Sequence, residues 1–277
     1  MSDDQTYVES GVITSVRARV VSRARALRRR TERADARLFL AEGPQAVREA
    51  LNVPGNVREI FVTEYAADKH PDLLTAADVP VHLVSGEVLD ALADTVTPQG
   101  IVAVCEFVDV DFDDAVAQTS TLGVLLAQVR DPGNAGTVIR CADAAGAQSV
   151  TFSTGSVDAF NGKTVRASVG SIYHLPLATG IDLADAVRAF QAKGLQVLAA
   201  DGSGDIDLDD ADDSGLLAEP TVWLFGNEAW GLPDSDTELA DHVVRIPLHG
   251  QAESLNLSTA AAVCLYASAR AQRRTRS

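Results

Sequence analysis

The chain has 277 residues, of which 46% are hydrophobic, and its 39 acidic and 23 basic residues give a formal net charge of −16. This length and apolar content predict a globular protein of one large or two modest domains. No stretch approaches the roughly 18 consecutive apolar residues that a membrane span needs, and residues 1–9 lack the basic-then-apolar order of a secretory signal, so we expect a cytoplasmic protein without a membrane partner.

Arginine is concentrated near the two ends of this acidic chain. Nine arginines fall within residues 17–37, and four more lie within residues 270–276. Residues 13–37 are predicted to form one long helix, with an apolar stripe of Val16, Val20, Ala24 and Leu27. Because binding to a phosphate backbone depends on Lys and Arg, this helix is a candidate phosphate-binding surface; a merely solvated helix is the alternative. The candidate contacts are Arg23, Arg28, Arg29 and Arg30.

A small α/β domain is predicted over residues 1–108. After the arginine-rich helix, a strand is expected at 38–43 and a helix at 44–51. Further strands are expected at 59–63, 79–84 and 101–107, with a helix at 86–93. Residues 109–120 are acidic and have no clear period, so they are predicted to be a linker.

Regular alternation of strands and helices fills residues 121–277. Strands are expected near 122–128, 149–153, 174–178, 196–200, 222–225 and 243–247, with helices between them. This alternation predicts an α/β fold with a mostly parallel sheet and helices on both faces.

Polar loops follow three of these strands and precede helices. Asn134 belongs to the first, with Arg140 six residues on in the helix that follows; Glu228 belongs to the second, and Ser254 and Asn256 to the third. Since ligands bind beyond the carboxyl ends of the strands in open α/β sheets, the loops predict one shared site. The alternative is structural: Asn134 could be only the N-cap of a helix at 135–145, and the third loop could only cap a last helix that we expect to be completely buried.

In order and spacing the three loops resemble the motifs of the SpoU-type RNA ribose 2'-O-methyltransferases of the SPOUT superfamily, over about residues 121–270. Residues 39–43 and 97–104 resemble signatures of the small RNA-binding domain that precedes the catalytic domain in the rRNA-directed branch. The resemblance implies transfer of a methyl group from S-adenosylmethionine to a ribose 2'-hydroxyl, with 23S rRNA as the expected substrate. It also implies a trefoil knot and a homodimer with the active site near its interface.

The resemblance assigns roles to the loop residues. It implies that Arg140 is the base that takes the 2'-hydroxyl proton and that Asn134 helps to place the RNA. Because a guanidinium is effectively never neutral, we expect Arg140 at least to stabilise the forming alkoxide. Glu228 would orient the arginine, and Ser254 and Asn256 would bond near the ribose hydroxyl. Backbone contacts to S-adenosylmethionine are implied at Ala200, Gly226, Ile246 and Leu255.

A fourth polar, glycine-rich stretch, residues 155–170, contains Lys163 and Arg166. These are candidates for holding RNA near the site, and a plain surface loop is the alternative. No metal is expected, since the histidines lack ligand spacing, and the three cysteines fit reduced thiols. The competing functions are 2'-O-methylation of tRNA, RNA binding without catalysis and, more distantly, a nucleotide-binding oxidoreductase, for which no acceptable glycine fingerprint is present.

Overall fold

The computed structural model describes residues 11–275, which fall into two compact units that divide between Glu106 and Phe107. Within the described residues no helix is long and apolar enough to cross a membrane.

The first unit is a four-stranded sheet with helices. Its elements are α1 (Arg19–Ala26), α2 (Arg30–Ala36), β1 (Leu38–Glu42), α3 (Pro44–Leu51), β2 (Val57–Val62), α4 (Glu64–Lys69), α5 (Pro71–Ala76), β3 (Val81–Leu83), α6 (Gly86–Leu92) and β4 (Ile101–Glu106). The strand order is β1-β4-β2-β3, with β4 antiparallel to both neighbours and β3 parallel to β2. Val21, Ala24 and Leu27 join the core of this unit together with residues of α6.

The prediction of a single long helix over residues 13–37 is wrong. The chain forms two helices, and Arg29 between them is extended, with φ −93° and ψ 135°. Arg33 explains the break, because its buried guanidinium donates hydrogen bonds to the carbonyl oxygens of Leu27 (2.8 Å) and Arg28 (2.9 Å). A side chain thus satisfies carbonyls that a continuous helix would have bonded internally.

The second unit is a seven-stranded sheet with helices. Its elements are α7 (Phe112–Gln118), β5 (Leu122–Leu126), α8 (Pro132–Ala145), β6 (Val150–Ser153), α9 (Gly162–Ser168), a 3₁₀ turn (Ser171–Tyr173), β7 (Leu177–Ile181), α10 (Leu183–Ala192), β8 (Gln196–Ala200), β9 (Ile206–Asp207), α11 (Leu208–Asp213), a 3₁₀ turn (Leu216–Ala218), β10 (Thr221–Phe225), α12 (Asp234–Thr237), β11 (His242–Arg245) and α13 (Leu257–Thr275).

This sheet is parallel throughout, in the order β7-β6-β5-β10-β8-β11-β9. Strands β5 and β10, in the middle of the sheet, are completely buried, as expected when helices cover both faces of a sheet. Successive residues of β10 face opposite sides of the sheet. Leu224 packs in a core with Phe190 of α10, while the indole of Trp223 donates a buried 2.9 Å hydrogen bond to Ser268 of α13. Helices therefore cover both faces, as the alternation predicts.

Residues 109–120 are not the irregular linker that their composition suggests. Asp109 forms a parallel bridge with Leu177, and the following residues form α7. Phe112 packs edge-on against Phe190, with ring centroids 5.8 Å apart. A few apolar side chains on this short helix anchor the segment to the second unit. The surrounding aspartates obscure the apolar pattern in the sequence, which is why the helix is not predicted there. The strand expected at 174–178 is also displaced, to Leu177–Ile181.

The last helix, α13, is only partly buried, in contrast to the expectation of complete burial. Cys264, Leu265 and Ser268 are inaccessible, but Val263 and Tyr266 remain 38% and 53% exposed. The helix thus covers the sheet with one face and leaves an apolar strip on the other.

Candidate active site

The first polar loop leads into α8 through a strong N-terminal signal. Asp131 is the N-cap, its Oδ1 accepts a 2.9 Å hydrogen bond from the Asn134 amide N–H, and Pro132 occupies the first turn. The prediction that Asn134 is the N-cap is therefore wrong. An Asp followed by Pro satisfies the cap three residues earlier, which leaves the Asn134 side chain available for other contacts.

The side chain of Asn134 joins all three polar loops. Its Nδ2 donates to Glu228 Oε1 at 3.3 Å, and its Oδ1 accepts a 3.0 Å hydrogen bond from Asn256 Nδ2. These partners are 94 and 122 residues away in the chain. The sequence predicts that the three polar loops meet beyond the carboxyl ends of the strands. These side chains of the three loops are in direct contact.

Glu228 holds the start of α8. Its Oε2 accepts from the backbone N–H of Arg130 at 3.1 Å, and its Oε1 accepts from that of Asp131 at 3.0 Å. A carboxylate is favoured at a helix N-terminus, where amide donors lack helical partners. Since the carboxylate accepts three hydrogen bonds, it acts as a rigid connection between the second loop and the first.

The second loop is a tight hairpin that projects Glu228 from its tip. Asn227 and Gly231 exchange two 2.9 Å backbone hydrogen bonds, and Asn227 Nδ2 donates to the carbonyl of Gln128 at 2.7 Å. Gly226 cannot be replaced without a shift, because a Cβ there would lie 2.4 Å from the Gly231 carbonyl oxygen. Gly226 thus allows a close approach of backbone to backbone, and Gly231 adopts the left-handed φ of 67° that favours glycine.

The third loop contributes Asn256, which also caps α13. Its Oδ1 accepts from the Ser258 amide N–H at 2.9 Å and from the Ser258 hydroxyl at 2.6 Å. The capping alternative and the shared-site prediction therefore both apply to this residue. Ser254 is exposed, and within the described part of the chain its side chain forms no hydrogen bond.

An open pocket lies where the three loops meet. It is lined by Arg130, Asp131, Asn134, Asn227, Glu228, Ala229, Trp230 and Asn256. Asn134, Glu228 and Asn256 are expected there from the sequence, whereas Arg130, Asp131 and Trp230 have no predicted role. The Asp-Pro pair is the signal that could have identified Asp131; no such signal exists for Arg130.

Arg140 does not line this pocket. It is exposed on α8, six residues beyond Asn134, and among residues 11–275 its guanidinium has no ion-pair or hydrogen-bond partner. Six residues correspond to about 9 Å of rise and to a different helix face. Within one chain, therefore, the structure assembles Asn134, Glu228 and Asn256 without Arg140.

The residues expected to contact a cofactor lie at one edge of the sheet. Ala200 is paired with Phe225 on one side and with Val244 on the other, so Gly226 and Ile246 follow the neighbouring strands at the same end. Within the described chain, residues 246–255 form no backbone hydrogen bond. Leu248 and Leu255 are exposed on this loop. Free backbone donors and acceptors beside apolar side chains suit a flat heterocyclic ligand.

Lys163 and Arg166 lie on helix α9 and not in a plain surface loop. Gly136 lets α9 approach α8 closely, since a Cβ there would lie 2.3 Å from the Thr164 carbonyl oxygen. Lys163 Nζ donates to Asp131 Oδ2 at 2.9 Å, and this bond, with the Asn134 amide, lowers the pKa of the Asp131 carboxyl. Lys163 thus supports the cap of α8 besides facing solvent.

In the first unit, three candidate arginines already have acidic neighbours. Arg23 lies 3.8 Å from Glu59, Arg28 lies 3.4 Å from Asp94, and Arg29 lies 2.9 Å from Glu32. These pairs are exposed at the arginine and are weak. A shallow groove along α1 is lined by Ser22, Arg25, Ala26, Arg28 and Arg29. Arg30 is exposed.

No group of three His, Cys, Asp or Glu side chains in residues 11–275 is arranged to hold a metal ion.

Comparison with known proteins identifies two family models in the chain. The model of the SpoU rRNA Methylase family matches residues 121–266, and that of the MRM3-like substrate binding domain matches residues 19–103. A curated relative, the 23S rRNA (guanosine(2553)-2'-O)-methyltransferase RlmP of Bacillus subtilis, is 35% identical over 92% of this chain and 97% of its own length.

Solved structures agree with these matches. An AdoMet-bound rRNA methyltransferase from Sinorhizobium meliloti has a TM-score of 0.81 and 32% identity, covering 94% of this chain and 97% of its own. The SpoU methyltransferase AviRb from Streptomyces viridochromogenes, in complex with AdoMet, has a TM-score of 0.82 and 31% identity, covering 94% and 99%. The chain therefore belongs to the SpoU rRNA methylase family.

Proposed function

We propose that the protein transfers a methyl group from S-adenosylmethionine to a ribose 2'-hydroxyl of 23S rRNA. One observation carries the proposal: the Asn134 amide bonds both Glu228 and Asn256, so the three polar loops form one pocket. The near full-length relative that is named a 23S rRNA 2'-O-methyltransferase supports both the reaction and the substrate. The match to a substrate-binding domain over residues 19–103 favours rRNA over the tRNA alternative and supports the proposal that residues 1–108 select the RNA.

The residues of the sheet edge fit S-adenosylmethionine. The backbone around Ile246 and Leu255 is free of internal hydrogen bonds, and it lies at the same strand ends as Ala200 and Gly226. Main-chain amides and carbonyls there would hold the adenosine part, with Leu255 against its apolar surface. When bound, S-adenosylmethionine supplies an electrophilic methyl group on a positively charged sulfur.

The chain's own residues would position the ribose and manage the proton. Asn134, Asn256 and Ser254 offer hydrogen bonds to the ribose hydroxyl, and Glu228 fixes Asn134 relative to the sheet edge. Orientation of this kind can supply about 7 to 11 kcal/mol of the barrier. Arg140, as a guanidinium that stays charged, would stabilise the forming alkoxide, and the 2'-hydroxyl proton would pass to a water molecule, since the pocket is open to solvent. Lys163 and Arg166 would bind RNA phosphates beside the pocket.

In a homodimer, Arg140 of one subunit would reach the pocket of the other subunit. Arg140 and Ala144 are one turn apart on the same face of α8, and Tyr266 Oη donates to the Ala144 carbonyl at 3.4 Å. The exposed apolar strip of α13, formed by Val263 and Tyr266, thus lies beside the helix that carries Arg140. We infer that this strip is the dimer interface and that Arg140 serves the pocket of the partner subunit.

The trefoil knot is part of the same proposal. The end of α13 is tied to the starts of two central strands, since Gln272 Nε2 donates to the carbonyl oxygens of Thr121 and Glu219, each at 3.0 Å. Such anchoring is what a threaded C-terminal helix would need.

The experiment is a methylation assay with labelled S-adenosylmethionine and total RNA, which includes rRNA and tRNA, from cells that lack the gene. We expect label in 23S rRNA at one nucleotide that becomes resistant to alkaline hydrolysis on its 3' side, because the 2'-oxygen is blocked. Label only in tRNA would support the tRNA alternative, and label in neither RNA would leave RNA binding without catalysis as the function.

A further inference from the structure

The indole of Trp230 is largely exposed to solvent, which is unexpected for a tryptophan that binds no ligand. It lies at the mouth of the pocket and is 51% exposed, whereas the chain's other tryptophan, Trp223, is completely buried. Tryptophan and tyrosine contribute large contact areas and are therefore enriched where proteins bind partners. The solvent exposure of this indole is thus a candidate sign of a ligand.

The loop that carries Trp230 is held firmly. Asn227 and Gly231 close the hairpin on either side of residues 228–230, and Ala229 N–H donates to Asn227 Oδ1 at 2.9 Å. Glu228, two residues before Trp230, is bonded to the start of α8. The indole therefore projects from a fixed support next to the groups that would hold the ribose.

Arg130 completes an aromatic and cationic surface with Trp230. Its guanidinium carbon lies 5.4 Å from the centre of the Trp230 ring, within the range of a cation–π contact. The backbone N–H of Arg130 donates to Glu228, and this bond fixes the backbone from which the Arg130 side chain extends. In residues 11–275 no carboxylate lies within ion-pair distance of this guanidinium, so its charge is not neutralised locally.

We propose that Trp230 and Arg130 form a stacking platform for a nucleobase of the substrate RNA, next to the ribose that is methylated. The proposal rests on the proposed 2'-O-methylation. Unstacked bases in RNA are bound by stacking on aromatic rings and on arginine guanidinium planes. Because every base has a flat face, the platform holds the nucleotide without selecting its identity. Arg130 would add attraction to the neighbouring phosphate.

The first test separates RNA binding from the chemical step. Trp230→Leu keeps apolar bulk without a ring, and Trp230→Phe keeps a ring. We expect Trp230→Leu to raise KM for rRNA about 5- to 150-fold, the equivalent of about 1 to 3 kcal/mol per stacked base. Trp230→Phe should retain most of the affinity, and binding of S-adenosylmethionine measured by calorimetry should be unchanged in both. Equal KM values for Leu, Phe and wild type, or a matching loss of S-adenosylmethionine binding, would overturn the platform.

The second test does not depend on turnover. A ten-nucleotide oligoadenylate should quench the emission of Trp230, and the same chain without bases should not. The quenching should vanish in Trp230→Phe, where only Trp223 remains, and weaken in Arg130→Gln. Quenching without methylation by the wild-type protein would reject the proposed function and keep the platform. Methylation with equal quenching by the abasic chain would reject the platform alone.

Discussion

The side-chain amide of Asn134 donates a 3.3 Å hydrogen bond to Glu228, and the same carboxylate accepts the backbone N–H groups of Arg130 and Asp131. The carboxylate thus connects the loop after β10 to the first turn of α8. Asn256 then bonds the other end of the same amide. A displacement of any one of these three side chains would be transmitted to the other two.

Gly136→Ala should destabilise the second unit. The added Cβ would lie 2.3 Å from the Thr164 carbonyl oxygen and 2.7 Å from Ala167 Cβ, and backbone cannot move aside as a flexible side chain can. Overpacking of this kind costs about 1 to 3 kcal/mol, which outweighs the better helix propensity of alanine. Thermal unfolding should show a fall in Tm of several degrees. Gly202→Ala is the control, since nothing lies within 4 Å of its Cβ position; equal Tm values for the two variants would refute the close approach of α8 and α9.

Arg140→Ala should abolish methyl transfer while leaving S-adenosylmethionine binding measurable. If Arg140 acts across a dimer interface, mixing Arg140→Ala with Asn134→Ala protein should restore activity. After subunit exchange about half of the dimers are mixed, and each has one intact pocket, so about a quarter of wild-type activity is expected. The mixture is assayed after partial unfolding and refolding. Continued inactivity, with mixed dimers demonstrated by mass spectrometry, would place Arg140 in its own subunit's site.

Removing arginines from the first unit should weaken RNA binding in a salt-dependent manner. The double variant Arg29→Ala, Arg30→Ala should flatten the plot of log affinity against log salt by about 0.7 to 0.9 for each phosphate that is no longer neutralised. Arg58→Ala, Arg188→Ala is the matched control, because both residues are exposed and paired with acidic side chains elsewhere. The measurement is binding of an rRNA fragment at several salt concentrations. An unchanged slope in the first double variant would rule out phosphate binding by these arginines.

The carboxyl of Asp131 should titrate at higher pH when Lys163 is removed. The Lys163 hydrogen bond is the largest cause of the lowered pKa of Asp131, followed by the Asn134 amide. A carboxyl whose pKa is lowered by folding stabilises the protein above its unfolded value, and that contribution is lost as pH falls through the folded value. In Lys163→Ala the loss should begin at higher pH.

Carboxyl-carbon NMR of Asp131 checks this directly. Lys193→Ala is the control, because among residues 11–275 the ammonium group of Lys193 bonds the carbonyl oxygens of Val116 and Ala117 and no carboxylate. An Asp131 titration midpoint that is the same in Lys163→Ala and in wild type would contradict the assignment.

The parallel sheet and the meeting of the three loops could be predicted from sequence, because buried strands and polar strand ends are local patterns. The role of Asn134 could not be predicted fully. Both Asp131 and Asn134 are good N-cap residues, and only the position of Pro132 distinguishes them. With Asp131 as cap, Asn134 is free to bond Glu228 and Asn256, and those partners are far away in the chain.

The single helix predicted for residues 13–37 is wrong for a physical reason. Charge and helical period treat all nine arginines alike, yet Arg33 is buried against the carbonyls of Leu27 and Arg28 and ends α1. Whether an arginine turns inward to a backbone carbonyl depends on the tertiary position of the next helix. Arg140 lies six residues beyond Asn134 on α8 and on a different face of the helix, so whether it reaches a pocket depends on contacts that are distant in the chain.

The shared site is tested most directly by the single-turnover rate of rRNA methylation, with S-adenosylmethionine saturating, for Asn134→Ala, Glu228→Ala and the double variant. A misplacement of about 1 Å can cost about 10²-fold in rate, so each single variant should fall by about that factor. Because the two side chains act as a unit, the double variant should be little slower than the slower single variant. Glu238→Ala, an exposed carboxylate outside the pocket, should keep the wild-type rate. Wild-type rates in both single variants, or losses that simply multiply in the double variant, would contradict a shared site built on the Asn134–Glu228 contact.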